Sequence, residues 1–319
     1  MKKRWILPLA IAGLAFAGAA QAQCVTINNA TVPGSFNPFS ASGLDQTMTL
    51  TIHRSLLGAR EGNIVFIRRP GDNRDYDVRL VSDDGSGTGG SILFYPPGPT
   101  LSTGNNDPGE MDLSFALFGT VRTSQVRFIA PALSDIPAGS INLVLDVKYL
   151  CEELIGQSSG TTPSGFSLTL NVLSALQASF VGSSLDFTEI GSLSTAQLPA
   201  APDSVKRVTG SLRVASSGPY EVRATSQNGW TMTPNGGAAS QANQKIGYEF
   251  SLVGRTARPG NNFAPKICSW ATVTGKYLPV AVTLLEGGVG KSPSPTYQDT
   301  VTVTVTPLGA TTPAPETCP

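Results

Sequence analysis

The chain contains a single histidine, His53, the one imidazole that could act as a base for a serine or cysteine nucleophile. It lies in the segment TMTLTIHR, where apolar and polar residues alternate. The alternation predicts a strand with Leu50 and Ile52 on one face and His53 on the other. We therefore expect a solvated strand residue at this position and not a catalytic group.

Part of the spacing of a calcium-binding loop is present in four oxygen-bearing side chains: Asn73, Asp75, Asp77 and Asp84. Val78, however, occupies the position at which such a loop requires glycine. Alternation instead predicts that Asp75, Asp77 and Arg79 form the polar face of a strand. The sequence therefore indicates no metal site here.

Two further motifs resemble parts of enzyme sites. Asp83 and Asp84 could be read as a paired acid and base, but neighbouring strand residues point to opposite faces. Residues 85–91, GSGTGGS, lack the Gly-Lys-Ser/Thr ending and the following helix of a phosphate loop, and they predict a hairpin loop. We expect neither enzyme activity nor a cofactor.

The four cysteines lie far apart, with no second thiol or histidine close to any of them. In an exported chain this pattern is typical of disulfides rather than of metal ligands. Three pairings can be drawn. Cys24 with Cys151 and Cys268 with Cys318 keeps each bridge within one half of the chain, and it is the pairing that we favour.

The N-terminus has the pattern of a cleaved secretory signal over residues 1–22, with three basic residues, an apolar run and the sequence Ala-Gln-Ala. We expect the mature chain to begin at Gln23. Removal of the signal leaves 19 basic and 22 acidic residues, so the protein has no basic surface that predicts nucleic-acid binding. No later segment is apolar for long enough to span a bilayer.

The elements that must carry any function are strands. About 297 mature residues suit two domains, and 34 Gly, 24 Pro and many Val and Thr residues with little helical periodicity predict an all-β protein. The strongest strand contains Val301, Val303 and Val305 on one face and threonines on the other. Only a Pro- and Thr-rich tail, residues 309–319, follows it. We therefore expect an unpaired edge here, which would accept a strand from a partner.

Three pairs of similar segments recur in one order and predict two copies of one domain. The pairs are residues 75–82 with 219–226, residues 113–120 with 248–256, and residues 138–150 with 295–308. Between the copies, residues 152–165 are rich in Ser, Gly and Thr and predict a linker. The expected domains are therefore residues 23–151 and 166–308.

Residues 166–175, FSLTLNVLSA, have two interpretations. Phe166, Leu168, Leu170 and Val172 alternate with polar residues, so the segment is a strand with one buried face. It is either the first strand of the second domain, which we favour, or a strand that completes the first domain. Both interpretations leave the second domain open.

The motifs at this end of the chain resemble those of a known family. The closing Y-x-D-T-V-T-V-T-V at residues 297–305, the Y-x-F-x-L strand at 248–252 and Leu-Asp-Phe at 185–187 are similar to the spore coat protein U-like domain. That domain builds the subunits of archaic, Csu-type chaperone-usher pili. The resemblance covers most of residues 166–308, and it extends to the first domain only through the internal repeat.

The resemblance implies two immunoglobulin-like β-sandwiches, the second of which lacks its last strand. A periplasmic chaperone and then an adjacent pilin subunit would fill the gap by strand addition, and an outer-membrane usher would export the assembled fibre. Only Gln23 precedes Cys24 in the expected mature chain, so the subunit can receive a strand but has none to donate. This implies a tip adhesin at the cell surface.

A tip adhesin would bind through the first domain, to an abiotic or host surface, and would support biofilm formation. Three loops there are unusually apolar and are stiffened by proline: residues 34–44, 91–101 and 129–139. The candidate binding residues in them are Phe36, Phe39, Leu93, Phe94, Tyr95, Leu133 and Ile136. These side chains could instead close the ends of the core. Two other functions stay open: a coat protein without adhesive role, and a secreted carbohydrate-binding module.

Overall fold

The computed structural model describes residues 24–54, 61–69, 71–80, 91–92, 111–115, 119–152, 156–182, 184–309 and 315–318. Within these ranges the protein is almost entirely β-structure, with a single short α-helix, Asp203–Lys206, and the 3₁₀ turns Thr195–Ala200 and Ala242–Gln244. The predicted all-β class is confirmed. No helix in the described ranges is long and apolar enough to cross a membrane.

The first module comprises the described part of residues 24–172. Its strands are β1 Val25–Ile27, β2 Ala30–Thr31, β3 Leu44–Arg54, β4 Glu61–Arg68, β5 Asp77–Leu80, β6 Ser91–Ile92, β7 Met111–Ser114, β8 Val121–Ala130, β9 Gly139–Glu152 and β10 Gln157–Val172. They form two five-stranded sheets, in the orders β1-β3-β8-β5-β6 and β2-β10-β9-β4-β7. The module is an immunoglobulin-like sandwich.

Alternating side chains of these strands build one hydrophobic core. In β9, Leu143, Leu145, Val147 and Tyr149 are all buried, whereas the residues between them are partly exposed. Phe166 of β10 lies against the core from the neighbouring strand. Burial of these apolar side chains between the two inner faces stabilises the sandwich.

The expected linker, residues 152–165, is wrong, because residues 157–165 belong to β10 and pair with β9. The glycines that suggested flexibility allow close contacts instead. A Cβ at Gly160 would lie 2.5 Å from the Tyr149 hydroxyl, and one at Gly165 would lie 2.9 Å from Val147. Serine and threonine suit the solvated face of this strand.

The preferred interpretation of residues 166–175 is wrong for the same reason. Phe166, Leu168 and Leu170 are completely buried in the first core, and Val172 lies at its end. The segment completes the first module within the same chain. Its alternation was read correctly, but alternation alone does not identify which core receives the buried face.

The second module, residues 176–318, follows after only three residues. Its strands are β11 Leu176–Val181, β12 Arg207–Ser216, β13 Tyr220–Ser226, β14 Thr231–Pro234, β15 Ile246–Leu252, β16 Arg255–Ala257, β17 Lys266–Cys268, β18 Thr272–Leu284, β19 Tyr297–Gln298 and β20 Val301–Pro307. One sheet has the order β11-β12-β18-β15-β14-β19 with β16 on β15, and the other has the order β17-β13-β20.

Aromatic side chains fill the centre of the second core. Trp230 stacks on Phe250 with ring centroids 5.6 Å apart and meets Tyr248 edge-on at 6.3 Å. Phe263 contacts Phe250 from the other side. The second core shares no residue with the first, so each module has its own hydrophobic interior.

The two modules have the same strand arrangement. In the first, β1-β3-β8-β5 form one sheet; in the second, β11-β12-β18-β15 are connected in the same way. The facing sheets also match, since β9-β4-β7 corresponds to β20-β13-β17. Both series consist of antiparallel neighbours. The expected duplication is present in the topology.

The segment pairs proposed from the sequence agree with this topology in one case of three. Residues 138–150 and 295–308 contain β9 and β20, which are equivalent. Residues 75–82 contain β5, however, whereas residues 219–226 contain β13, whose equivalent is β4. Likewise β7 corresponds to β17 and not to β15. Valine-rich strands with one buried face resemble each other whatever their position in the sheet, so similarity between two such segments does not show that they are equivalent.

Both favoured disulfides are present. Cys24 is bonded to Cys151 in the first module, and Cys268 is bonded to Cys318 in the second. The second bridge fixes part of the tail, where Glu316 also forms ion pairs with Arg255 and Lys266. The expected tail therefore does not simply extend from the last strand, because its residues 315–318 return to β17.

Candidate functional site: an apolar groove in the second module

One wall of a long groove in the second module is β20. It pairs with β13 from Val301 opposite Ser226 to Pro307 opposite Tyr220. Val301, Val303 and Val305 pack against the second core but remain partly exposed. In the described part of the chain, no strand pairs with the outer edge of β20. β20 therefore has one unpaired edge among the described residues, and its role as the acceptor of a donor strand stays a prediction.

The opposite wall is β11, which also has one unpaired edge among the described residues. Ala178 lies opposite Val214 and Phe180 lies opposite Leu212, and both of these β12 partners are buried. Directly opposed residues of antiparallel strands share a face, so Ala178 and Phe180 point inward. Phe180 is nevertheless 47% exposed. An inward-facing aromatic ring exposed to this degree indicates a core that lacks a covering strand.

Between the two walls the core itself forms the floor. The groove has a volume of about 1150 Å³. Its floor residues are mainly large and apolar, and they come from four strands: Leu212, Met232, Ile246, Phe250, Val280 and Val282. A groove with an apolar floor and free backbone edges on both sides suits an extended peptide, whose backbone pairs with the edges while alternate side chains enter the floor.

A polar cluster centred on Asp299 closes the end of the groove where β20 begins. Asp299 Oδ2 accepts hydrogen bonds from Ser226 Oγ and Tyr248 Oη, both at 2.5 Å. Its Oδ1 accepts from the backbone N–H of Asn228 and of Thr300. Burial, and then the bond to Asp299, raise the pKa of Tyr248 well above its ordinary value, so the phenol stays a neutral donor. The cluster fixes the start of β20.

The other end of the groove meets the connection between the modules, residues 173–175. Ser174 Oγ donates to the carbonyl of Leu308, directly after β20, at 2.6 Å. Ser217 Oγ donates to the carbonyl of Leu173 at 2.8 Å and accepts from the N–H of Ala175 at 2.9 Å. Ala138 of the first module donates its N–H to the carbonyl of Ser217 at 2.7 Å. We call this hydrogen-bonded region the joint.

The first module shows what occupies the equivalent place. There the outer edge of β9 is paired with β10 over its whole length, and β10 supplies four buried apolar side chains to the core. The other edge of β10 pairs in parallel with β2. The second module has equivalents of β9, β4 and β7 in β20, β13 and β17, but within the described ranges it has no equivalent of β10. The groove is the space of that strand.

The candidate binding residues of the first module lie in different environments. Phe36 and Ile136 are completely buried, so the prediction that they form exposed binding contacts is wrong. Their side chains instead close the end of the core next to the joint. Phe39 is half-buried. Leu133 is 59% exposed, but its loop is beside the joint, since neighbouring Asp135 accepts a bond from Val273 of the second module. Leu93, Phe94 and Tyr95 lie outside the described residues.

The residues singled out for chemistry are not brought together. His53 is a strand residue opposite Thr26 and Val121. Asp75 precedes β5, Asp77 begins it, and Asp84 lies outside the described residues. Residues 156–160, Gly-Gln-Ser-Ser-Gly, have the G-x-S-x-G spacing of a nucleophilic serine, but Ser158 lies at the start of β10 and not at a strand-to-helix turn. In the part of the chain that the structure describes, no three His, Cys, Asp or Glu side chains are placed to hold a metal ion.

Sequence reasoning found one wall of the groove and missed the other. The inward positions Leu176, Ala178 and Phe180 alternate with polar residues except at the last step, and this weak signal could have identified β11. The role of Asp299 has a signal in the Y-x-D motif at residues 297–299. The joint was missed because Ser174 and Ser217 are distant in sequence and carry no motif.

No family model matches the chain, and no curated protein matches it by sequence. Solved structures similar to it include a chain of the CsuC–CsuE chaperone–tip adhesion subunit pre-assembly complex of Acinetobacter baumannii, at 13% identity and TM-score 0.35, covering 88% of this chain and 99% of that one. The enterotoxigenic Escherichia coli adhesin CfaE has 12% identity and TM-score 0.42, with 89% and 92% covered. The Pseudomonas aeruginosa tip adhesin CupB6 has 11% identity and TM-score 0.28, with 88% and 94% covered.

These neighbours are a complex of a tip adhesion subunit with its chaperone, an adhesin and a tip adhesin. At such identities and scores the similarity carries no argument about what this chain binds, and the spore coat U-like resemblance has no matching family model. The functional argument therefore rests on the groove, its two free edges and the contrast with the completed first module.

Proposed function

We propose that this protein is the tip adhesin of a chaperone-usher pilus, in which the groove of the second module accepts a β-strand from an adjacent pilin subunit. The observation that carries the proposal is the unpaired outer edge of β20, at the place where β9 of the first module pairs with β10. A strand added there would hydrogen-bond to β20 and bury the half-exposed Phe180.

The donor strand comes from another chain, because the described segments of this chain are used elsewhere. β10 completes the first module, and the end of the tail is held at β17 by Cys318 and Glu316. An open apolar groove promotes aggregation. The groove therefore requires a periplasmic chaperone, which protects it until the usher passes the subunit to its neighbour.

The use of strands in the first module supports the proposed tip position. From Val25 on, the N-terminal residues pair with β3 in the module's own sheet, and no described segment is free to complete a further subunit. A subunit that receives a strand and donates none occupies the distal end of a fibre. The first module would then face outward and carry the adhesive surface.

Adhesion is proposed to depend on the apolar segment that contains Leu93, Phe94 and Tyr95, for which the sequence predicts a loop, since Phe36 and Ile136 are buried in the core. Replacing Phe94 and Tyr95 with serine should reduce attachment of assembled fibres, and biofilm formation, on apolar surfaces. Each apolar side chain buried in such a contact is worth roughly 1.5 to 3 kcal/mol. Undiminished attachment would show that the loop is not the adhesive surface, without bearing on the groove.

The strand-acceptor role is tested with the full mature chain and a synthetic peptide of alternating leucine and threonine. We expect the chain alone to aggregate or to require a chaperone, and the peptide to make it soluble and raise its melting temperature. A peptide of the same composition in scrambled order is the control. A monomeric chain that stays soluble alone and is not stabilised by the alternating peptide would disprove the role.

A further inference from the structure

We propose that Phe180 selects the donor strand by size: the donor carries a small side chain at the position that faces Phe180 and a large apolar side chain at the position that faces Ala178. This inference rests on the proposed function, since it concerns the strand that fills the groove. It assigns specificity to the β11 wall, which is less buried than the β20 wall and contains inward residues of unequal size.

The ring of Phe180 already fills part of the groove. It lies on Gly210. This residue is opposite Val280 and belongs to the face of β12 that points into the core. A Cβ added at Gly210 would lie 2.6 Å from Phe180 Cζ, 3.0 Å from its Cε2 and 3.2 Å from Leu185 Cδ2. The absence of a side chain at Gly210 therefore gives the ring its place. A donor side chain in front of this position meets the ring and not an open floor.

At Ala178, two residues nearer the joint, the same wall leaves space for a larger side chain. Ala178 offers only a methyl group in front of Val214, which is completely buried. The inward series along β11 is thus large, small and large at Leu176, Ala178 and Phe180. On the other side of the groove the series is uniform, with three valines. Size selection must therefore come from β11, because a close-packed interior tolerates neither a clash nor a void.

The first module indicates the direction of the donor. β10 is antiparallel to β9, and a donor in the same relation to β20 runs away from the joint, because β20 ends there beside Ser174. β11 also runs away from the joint, so donor and β11 are parallel, as β10 and β2 are. The small donor residue is therefore expected about two positions C-terminal to the large one.

The experiment refolds the full mature chain in the presence of each fluorescent peptide, so that the empty groove cannot cause aggregation, and measures binding by anisotropy. The reference peptide alternates leucine and threonine, and in each member of a series one leucine is replaced by alanine. We expect one replacement to tighten binding about tenfold, because it relieves the clash with Phe180, while the other replacements weaken binding. Scanning every leucine identifies the facing position without assuming a register.

Two variants decide whether Phe180 is the cause. In Phe180→Ala, the favourable replacement should become unfavourable like the others, because the ring that it accommodated is gone. In Val181→Ala, the profile should be unchanged: Val181 is next in sequence and similarly exposed at 43%, but it points outward. Circular dichroism and intact disulfides establish that both variants are folded.

Each outcome separates the inference from the proposed function. Two results overturn the size rule while leaving the strand-acceptor role in place. In the first, no leucine-to-alanine replacement in the peptide tightens binding to the native chain. In the second, the same replacement tightens binding to Phe180→Ala as well. Binding of none of the peptides, by the native chain or by either variant, overturns the strand-acceptor role itself and the size rule with it.

Discussion

At the scale of single residues, the groove depends on polar side chains as much as on apolar ones. Asp299 accepts four hydrogen bonds and fixes the turn that leads into β20. Ser226, one of its donors, also accepts a bond from the N–H of Trp230 at 2.6 Å, which links the cluster to the centre of the second core. The position of the acceptor strand is therefore determined before any partner binds.

Asp299→Ala is expected to destabilise the second module by about 2 to 3 kcal/mol, because Tyr248 and Ser226 lose a charged acceptor in a partly buried place. The measurement is urea unfolding of the full chain. Replacing the neighbouring, exposed Gln298 with alanine should change stability by less than about 0.5 kcal/mol. Equal effects of the two replacements would show that the cluster does not hold the strand.

Asp72 in the first module gives a prediction of pH dependence. Burial by itself raises the pKa of Asp72, but hydrogen bonds from Arg74 and Tyr76 outweigh it and hold the pKa below the ordinary carboxyl value. A lowered folded-state pKa stabilises the module above the unfolded-state pKa, near about 4, and the stabilisation is lost as the pH falls through the folded-state value.

We therefore expect Asp72→Asn to lower the melting temperature of the first module at pH 7 and at pH 5 by the same amount. The difference from the native chain should shrink as the pH falls below about 4. Melting curves of the two proteins across this range measure it. A difference that grows on acidification would contradict the assigned direction of the shift.

At the scale of elements, the same alternation has opposite consequences in β10 and β20. Both strands have one apolar face, but the residues of β10 are buried by partners in their own sheet, whereas the valines of β20 have one pairing edge open in the described chain. Alternation is a local property and was readable from the sequence. Whether an edge is paired depends instead on which other strand lies beside it: β9 is covered by β10, the next strand in the chain, whereas no described strand follows β20 to cover its edge.

Val303→Asp should abolish stabilisation by an alternating donor peptide, because a charge on the inward face would be buried without a partner. Thr304→Asp is the matched control, since Thr304 is the next residue of β20 and faces outward opposite Arg223. It should retain stabilisation. Melting temperatures with and without peptide compare the two variants, and a peptide response in Val303→Asp would argue against strand addition at this face.

At the scale of the whole molecule, the joint connects the two modules without a flexible linker. Residues 173–175 are hydrogen-bonded to both modules, and a Cβ at Gly218 would lie 2.7 Å from Ser174 Oγ and 3.1 Å from Ala138 Cβ. The joint therefore depends on the absence of a side chain at this position. Both walls of the groove end here, since β11 begins after it and β20 ends beside it.

Gly218→Val is expected to force the modules apart at the joint while leaving each core intact. Distances between spin labels on the two modules should become longer and more broadly distributed. Gly237→Val is the control, because the nearest atom to a Cβ there is the Pro234 carbonyl oxygen at 3.6 Å. An unchanged distance distribution in Gly218→Val would show that the contact at Gly218 does not set the arrangement.

The sequence by itself determined the all-β class from composition and the one-sided strands at residues 166–172 and 301–305 from alternation. It left three disulfide pairings open, and the structure contains the one that was favoured. Only the tertiary structure decided that β10 closes the first module, that Phe36 and Ile136 are core residues, and that β11 forms the second wall of the groove. The physical reason is that alternation within a strand determines which face is buried, whereas packing between separate segments determines which strands lie beside it.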